Sequence, residues 1–87
     1  MPRLPVFAAR HVLGALDARE AVDVTRTAFL AHAEGTWSMP SKVYVPSSDG
    51  DFRAMPAAGG GYAVLKWVTS FPANPERGLP TVTGIVL

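Results

Sequence analysis

The spacing of hydrophobic and polar positions changes after Gly35, from a helical period to the alternation of strands. Before that point, apolar residues recur at intervals of three and four, which is the period of a helix with one apolar side. That side is assigned to Ala18, Val22, Thr25, Phe29 and His32, and another side to Arg19, Asp23 and Arg26. The pattern predicts an amphipathic helix, with a shorter helix before it around Ala8 to Leu13.

Signals for both ends of the longer helix agree with this periodicity. Asp17 is an acceptor side chain at the N-cap position, and Glu20, three residues later, has the spacing of a capping box. Gly35 suits the left-handed backbone conformation that often follows a helix C-terminus. The helix is therefore predicted to end at about Ala33.

The chain beyond Gly35 alternates between β-forming runs and turn residues. The runs are KVYV, DFRAMPA, YAVLKWVTSF and TVTGIVL. An Asp-Gly pair in the segment PSSDGD predicts a hairpin between the first two strands. Helices followed by strands, without alternation, predict an α+β domain in which N-terminal helices pack on one face of a mostly antiparallel or mixed sheet.

One charge, Lys66, interrupts the most apolar of the predicted strands. Its two-residue period separates Tyr62, Val64, Lys66, Val68 and Ser70 from Ala63, Leu65, Trp67, Thr69 and Phe71. Because both sides are largely apolar, we expect a strand covered on both faces, in which Lys66 has no obvious solvent-facing side. Two interpretations stay open: the ammonium reaches water at a nearby edge, or it is a cation in a cleft that binds an anion.

Composition and length restrict the class of protein. With 87 residues, 48% of them hydrophobic, and a net charge of +1, the chain is expected to form one domain, residues 1–87, rather than a basic nucleic-acid-binding protein. The sequence has no cysteine, and His11 and His32 are too isolated to predict a metal site. No apolar run has the length of a signal-peptide core or a membrane span. We therefore expect a cytoplasmic protein without nucleic-acid, membrane or metal partners.

Four further features are interpreted as structural. The glycines Gly59 to Gly61 lack the G-x-G-x-x-G spacing and lie between strands, so they predict a flexible turn rather than a phosphate loop. Trp37 and Trp67 are interpreted as packing residues. Arg53, two residues after Asp51, is interpreted as a solvent-facing strand residue.

The segments AFLAHAEGTWSMPSKVYV, DFRAMPA and KWVTSFPANPERGLPTVTGIVL resemble the ornithine cyclodeaminase/mu-crystallin family. Members of that family are similar in plan: an N-terminal half binds substrate and dimerises, and a Rossmann half binds NAD(H) or NADP(H). The resemblance implies that this chain is the first half only. The downstream Rossmann domain is expected to be absent, since no dinucleotide fingerprint follows.

The resemblance also implies roles for four residues. Lys42 and Lys66 are expected to bind the carboxylate of an amino-acid or imino-acid substrate, and Met55 to line the substrate pocket. Thr83 is expected to lie near the nicotinamide of the cofactor. Lys66 is in addition the expected catalytic residue, because it would assist proton transfer in members that release ammonia. Fixed cations suit a substrate whose carboxylate neighbours the carbon that exchanges hydride.

Two classes of function follow from the resemblance. One is the substrate-binding half of an NAD(P)-dependent enzyme of amino-acid metabolism: a cyclodeaminase (a lyase), or an oxidoreductase such as an imine reductase or amino-acid dehydrogenase. The alternative is a non-catalytic mu-crystallin-like binding or dimerisation module, or an inactive fragment. A homodimer is expected in both cases, whereas the chain alone is expected to bind no NAD or NADP and to be inactive, as a truncated product or an isolated half.

Overall fold

The protein is described by a computed structural model that covers residues 2–87. Two helices come first, α1 over Ala9–Ala15 and α2 over Ala18–Ala33. The strands that follow are β1 (Val43–Pro46), β2 (Asp51–Gly59), β3 (Tyr62–Ser70) and β4 (Val82–Val86). The predicted α+β class and the four predicted strands are confirmed.

The first turns of both helices are closed by side-chain acceptors. Asp17 Oδ1 accepts the backbone N–H of Glu20 at 2.8 Å, as its N-cap position predicts. The Glu20 carboxylate returns no bond within residues 2–87, so only half of the predicted capping box forms. In α1, Nδ1 of His11 accepts the backbone N–H of Ala8 at 2.9 Å. His11 therefore has a local role at the start of its helix.

The C-terminus of α2 ends in a Schellman motif. Gly35 has φ +78°, the left-handed conformation predicted for it. Its N–H donates to the carbonyl of His32 at 3.1 Å, and the N–H of Thr36 donates to that of Ala31 at 3.0 Å. These two bonds satisfy carbonyls that the helix leaves free, which explains why α2 stops at Ala33.

The strands form one antiparallel sheet in the order β1-β2-β3-β4. The predicted hairpin between β1 and β2 is confirmed, and Ser47 N–H donates to the Gly50 carbonyl at 2.8 Å in its turn. Gly60 and Gly61 join β2 to β3 with φ of +59° and +85°. Two successive positive φ values are what a type I′ hairpin turn requires, so the glycine run is a turn, as predicted.

The register divides the sheet into two faces. We call the first the cation face: it carries the odd-numbered residues of β2 and the even-numbered residues of β1, β3 and β4. The other, the aromatic face, carries the even-numbered residues of β2 and the odd-numbered residues of the remaining strands. On it, the Phe52 ring stacks on Trp67 at 5.9 Å and meets Phe71 edge-on at 5.5 Å. This contact confirms that Trp67 is a packing residue.

Helix α2 faces one end of the cation face, beside the β2–β3 turn. An apolar groove of about 580 Å³ runs between the helix and the sheet. It is lined from the helix by Val24, Thr25, Ala28, Phe29 and His32, and from the sheet by Ala57, Gly59, Tyr62 and Val64. The side of α2 that faces the sheet therefore shares three of the five predicted positions, Thr25, Phe29 and His32. The predicted placement of the helix on one face of the sheet is confirmed.

Trp37 extends the groove at the β2–β3 turn. A Cβ atom added to Gly59 would overlap the Trp37 indole, and one added to Gly60 would lie 3.1 Å from it. The indole therefore packs directly on the backbone of these glycines, which confirms the predicted packing role of Trp37. Even so, no side chain within residues 2–87 is fully buried.

Candidate functional site

Lys66 lies at the middle of β3, on the cation face. Met55 of β2 and Val86 of β4 are its cross-strand partners. The residue is exposed, so the expectation that Lys66 has no solvent-facing side is wrong for the described chain. The physical reason is that α2 borders the sheet beside the β2–β3 turn, and no element within residues 2–87 covers the middle of the strand.

A break in the ladder along the outer edge of β2 shapes the region beside Lys66. Ser38 exchanges two backbone hydrogen bonds with Ala58, at 2.8 and 2.9 Å, and Val43 pairs with Ala54. Between these pairs the outer chain has four residues and β2 has three. One extra residue on one chain is the geometry of a β-bulge, a feature that often redirects side chains next to functional sites.

Pro56 lies in the interval where pairing stops. The backbone N and C=O of Pro56 point toward the outer edge of β2, as those of Ala58 do. Because proline has no N–H, it cannot donate a hydrogen bond there. A pocket of about 310 Å³ occupies the bulge, lined by Met39, Pro40, Ser41, Lys42, Met55 and Pro56. Lys42 and Met55 thus share a pocket, and Met55 lies directly opposite Lys66. The structure thus places Lys42 and Met55 in one pocket and Lys66 outside that pocket, as the cross-strand neighbour of Met55.

A third cation, Arg53, lies on the same face, two residues before Met55. Its Nε donates to Asp51 Oδ1 at 2.6 Å, and its Nη2 donates to Oδ2 at 3.3 Å. The hydrogen bond to Asp51 is the main reason that the pKa of Arg53 is raised above its ordinary value. The paired side chains of Arg53 and Asp51 are 31% and 26% exposed, so neither projects freely into solvent.

Sequence reasoning missed Arg53 as a member of the site. The interpretation as a solvent-facing residue considered only its neighbour Asp51. The segment DFRAMPA contains a signal for Arg53. Arg53 and Met55 are two residues apart, and residues two apart in a strand share a face, so the candidate Met55 also points to Arg53. The register shows that this shared face is the one that carries Lys66.

Thr83 lies apart from the other candidates, on the aromatic face. It pairs with Thr69 across β3 and β4, with 2.7 Å between the two hydroxyl oxygens. The structure therefore does not bring Thr83 together with Lys42, Met55 and Lys66. Its role near a nicotinamide stays a prediction.

The chemistry of the cation face suits a small carboxylate. Lys42, Lys66 and Arg53 provide positive charge against the single carboxylate of Asp51. Arginine offers a planar pair of donors that matches a carboxylate, and lysine offers a compact charge. Met55 and the neighbouring prolines supply apolar atoms beside Lys42, which suit the carbon atoms of a small substrate.

No three His, Asp or Glu side chains among residues 2–87 converge so that they could hold a metal ion. No helix of these residues has the length and hydrophobicity to cross a membrane.

Comparison with known proteins identifies relatives of the whole described region. The model of the ornithine cyclodeaminase/mu-crystallin family matches residues 5–87. Alanine dehydrogenase of Archaeoglobus fulgidus is 50% identical over 68 residues, which are 78% of this chain and 21% of that protein. Delta(1)-pyrroline-2-carboxylate reductase 1 of Burkholderia multivorans is 31% identical over 88 residues, which cover all of this chain and 28% of that protein.

A solved structure is similar in fold as well as in sequence. An archaeal alanine dehydrogenase dimer with bound NAD superposes with a TM-score of 0.86 and 44% identity, over 91% of this chain and 25% of that one. The chain thus spans between 21% and 28% of the length of these relatives.

Proposed function

The chain belongs to the ornithine cyclodeaminase/mu-crystallin family, and we propose that its cation face binds the substrate carboxylate of an NAD(P)-dependent enzyme acting on amino or imino acids. The observation that carries this proposal is that Lys42, Met55 and Lys66 share one face of the sheet with Arg53. Alanine and pyrroline-2-carboxylate, the compounds in the relatives' names, both place a carboxylate next to a carbon bonded to nitrogen.

We assign the roles of the side chains from their positions. Lys42 and Lys66 bind the substrate carboxylate together with Arg53, which lies on the strand between them. Met55 contacts the substrate's carbon atoms, and Lys66, opposite it, is the catalytic residue that holds or delivers a proton at the substrate nitrogen. Orientation by fixed cations is the main contribution of these residues, because hydride exchange is chemistry that a nicotinamide supplies.

The nucleotide itself does not fit the described residues. A pyrophosphate is usually held by a glycine-rich turn that opens a helix, whereas Gly59 to Gly61 lie in the turn between two strands. We propose that residues 2–87 bind substrate and that Thr83 is the residue nearest the nicotinamide. NADH fluorescence should therefore not change saturably when the 87-residue chain is added, and saturable micromolar binding would contradict this assignment.

Among the reactions of the family, the residues that line the 310 Å³ pocket favour those whose substrate has a neutral side chain. Lys42 is the charged residue of the 310 Å³ pocket, whose other members are Met39, Pro40, Ser41, Met55 and Pro56. Within residues 2–87, no Asp or Glu lines this pocket to pair with the second ammonium group of ornithine, whereas a short apolar group would be accepted. We therefore propose a dehydrogenase or reductase of a small neutral amino or imino acid rather than a cyclodeaminase.

A carboxylate titration tests the binding proposal directly. Pyruvate, added to the ¹⁵N-labelled chain, should shift the amide signals of Lys42, Arg53, Met55 and Lys66. Pyruvamide, which has the same size and no charge, is the control ligand and should leave those signals in place. Equal shifts with both compounds, or shifts confined to the aromatic face, would contradict a carboxylate site.

A chimera tests the enzymatic proposal. In this chimera, the 87-residue chain replaces the matching segment of the Archaeoglobus alanine dehydrogenase, which is 50% identical over 68 residues. We expect NAD reduction with L-alanine, and loss of that activity with Lys66→Met. A chimera that binds pyruvate with unchanged affinity but has no activity would favour the non-catalytic binding module.

We also propose that the chain forms a homodimer. The support is the dimeric state of the similar alanine dehydrogenase and the apolar surface that residues 2–87 leave exposed, on α2 and on both faces of the sheet. Light scattering across a concentration series should show a dimer mass. A monomer at the highest concentration would contradict this proposal without affecting the carboxylate site.

A further inference from the structure

Tyr44 of β1 lies in contact with two of the cations of the site. Its ring centroid is 5.6 Å from Nζ of Lys42 and 5.2 Å from Cζ of Arg53. Both distances fall within the range of a cation–π interaction, about 6 Å to the ring centroid. One aromatic ring thus connects the flexible lysine of the bulge to the arginine of the neighbouring strand.

The register explains why the ring reaches Arg53. Ala58 directs both its N–H and its carbonyl toward the outer edge, so alternate residues of β2, such as Ala54, do the same. Tyr44 and Arg53 are therefore a non-hydrogen-bonded pair, the kind of pair in which side chains approach most closely. The contact follows from the backbone pairing and is not a chance approach of two surface groups.

Asp51 holds Arg53 from another direction and leaves part of the guanidinium free. The carboxylate takes the Nε–H and one Nη2–H. Arginine has five N–H donors, so two remain on Nη1 and one on Nη2. The terminal Nη1/Nη2 edge can thus still bind a carboxylate with two parallel hydrogen bonds.

We propose that Tyr44 is a positioning residue, whose ring holds Lys42 and Arg53 so that both present free donors to one carboxylate. The identity of that anion rests on the proposed function, whereas the effect of the ring on the two cations does not. The ring is the active part of Tyr44, because both cations lie over the ring face and the residue is 48% exposed. Bringing two like charges together is unfavourable, and the electron-rich ring face offsets part of that repulsion.

The test compares Tyr44→Phe, which keeps the ring, with Tyr44→Leu, which removes it. Tyr44→Leu should weaken pyruvate binding to the 87-residue chain roughly three- to tenfold, whereas Tyr44→Phe should stay within about twofold of the native chain. Tyr62→Leu is the matched control: it removes an exposed ring from the same face, beside the β2–β3 turn, and should not change the affinity.

A second measurement needs no ligand. In the native chain, the ring current of Tyr44 should displace the NMR signals of the Lys42 ε-methylene and the Arg53 Nε–H. Those displacements should persist in Tyr44→Phe and vanish in Tyr44→Leu, while the remaining spectrum shows an intact fold.

The two measurements separate the two proposals. If pyruvate fails to bind but the displacements follow this pattern, the carboxylate proposal fails and the positioning by Tyr44 stands. If the displacements are absent from the native chain, or if Tyr44→Leu binds pyruvate as the native chain does, Tyr44 is not a positioning residue. If Tyr44→Phe loses as much affinity as Tyr44→Leu, the hydroxyl acts and the ring-based proposal is wrong.

Discussion

The two faces of the sheet are built from the same strands but differ in chemistry. The cation face carries Lys66 and the Arg53–Asp51 pair, and the middle of the face is open. On the aromatic face, Trp67 and Phe52 stack, and two threonine hydroxyls bond to each other. Because side chains alternate along a strand, adjacent residues such as Lys66 and Trp67 can serve binding and stability separately. Mutations on the two faces should therefore change different measured quantities.

The largest expected effect is on the aromatic face. Trp67→Ala removes the ring that stacks on Phe52 and should lower the free energy of unfolding by about 2–3 kcal/mol, less than for a fully buried tryptophan because this one is half-buried. Urea denaturation measures the change. Lys66→Met, at the adjacent position, should stay within about 0.5 kcal/mol of the native chain. Equal destabilisation by both substitutions would break the distinction between the faces.

The next effect is on binding and belongs to the cation face. Lys66→Met and Lys42→Met each remove a charge while keeping the bulk of the stem, and each should weaken pyruvate binding by roughly 1.5–3 kcal/mol, or about ten- to a hundredfold. Arg19→Met on α2 is the control, because it also removes one positive charge but lies outside the site. It tests for a long-range electrostatic effect of the lost charge and should change the affinity little.

The double variant Lys42→Met/Lys66→Met sharpens this prediction. If both lysines hold one carboxylate, its loss of affinity should be smaller than the sum of the two single losses, because either substitution already disrupts the shared contact. Isothermal titration calorimetry provides the three affinities. Strictly additive losses would assign the two lysines to separate sites.

A smaller effect is expected where α2 and Trp37 cover the end of the cation face. Gly59→Ala places a methyl group against the Trp37 indole and should destabilise the chain by about 1–2 kcal/mol. Gly14→Ala is the matched control, since no atom lies within 4 Å of the added methyl and alanine favours the helix. Thermal unfolding that showed equal Tm values for both variants would mean that Trp37 does not pack on the turn.

The smallest effect concerns the helix that borders the groove. Asp17→Ala removes the N-cap acceptor of α2 and should cost about 1 kcal/mol. Asp23→Ala removes an exposed ion pair with Arg26, 3.6 Å long, and should cost no more than about 0.5 kcal/mol. Helicity measured by circular dichroism during urea denaturation compares the two. A larger loss for Asp23→Ala would contradict the capping role of Asp17.

Local interactions made several features predictable from the sequence alone. The boundaries of α2 follow from an acceptor at Asp17 and a left-handed glycine at Gly35, each of which acts within a few residues. The hairpin turns follow from Gly-rich and Asp-Gly segments for the same reason. The family was also evident from the sequence, since the order of its strand and loop segments is specific.

The tertiary structure alone decided how these elements combine. Backbone pairing between distant segments set the register and the bulge, and so placed Arg53 beside Lys42 and Lys66 and separated Thr83 from them. The position of α2 left Lys66 exposed where the sequence predicted a covered strand. A strand's alternation shows which residues share a face but not what lies against that face, because the covering contacts come from residues far away in the chain.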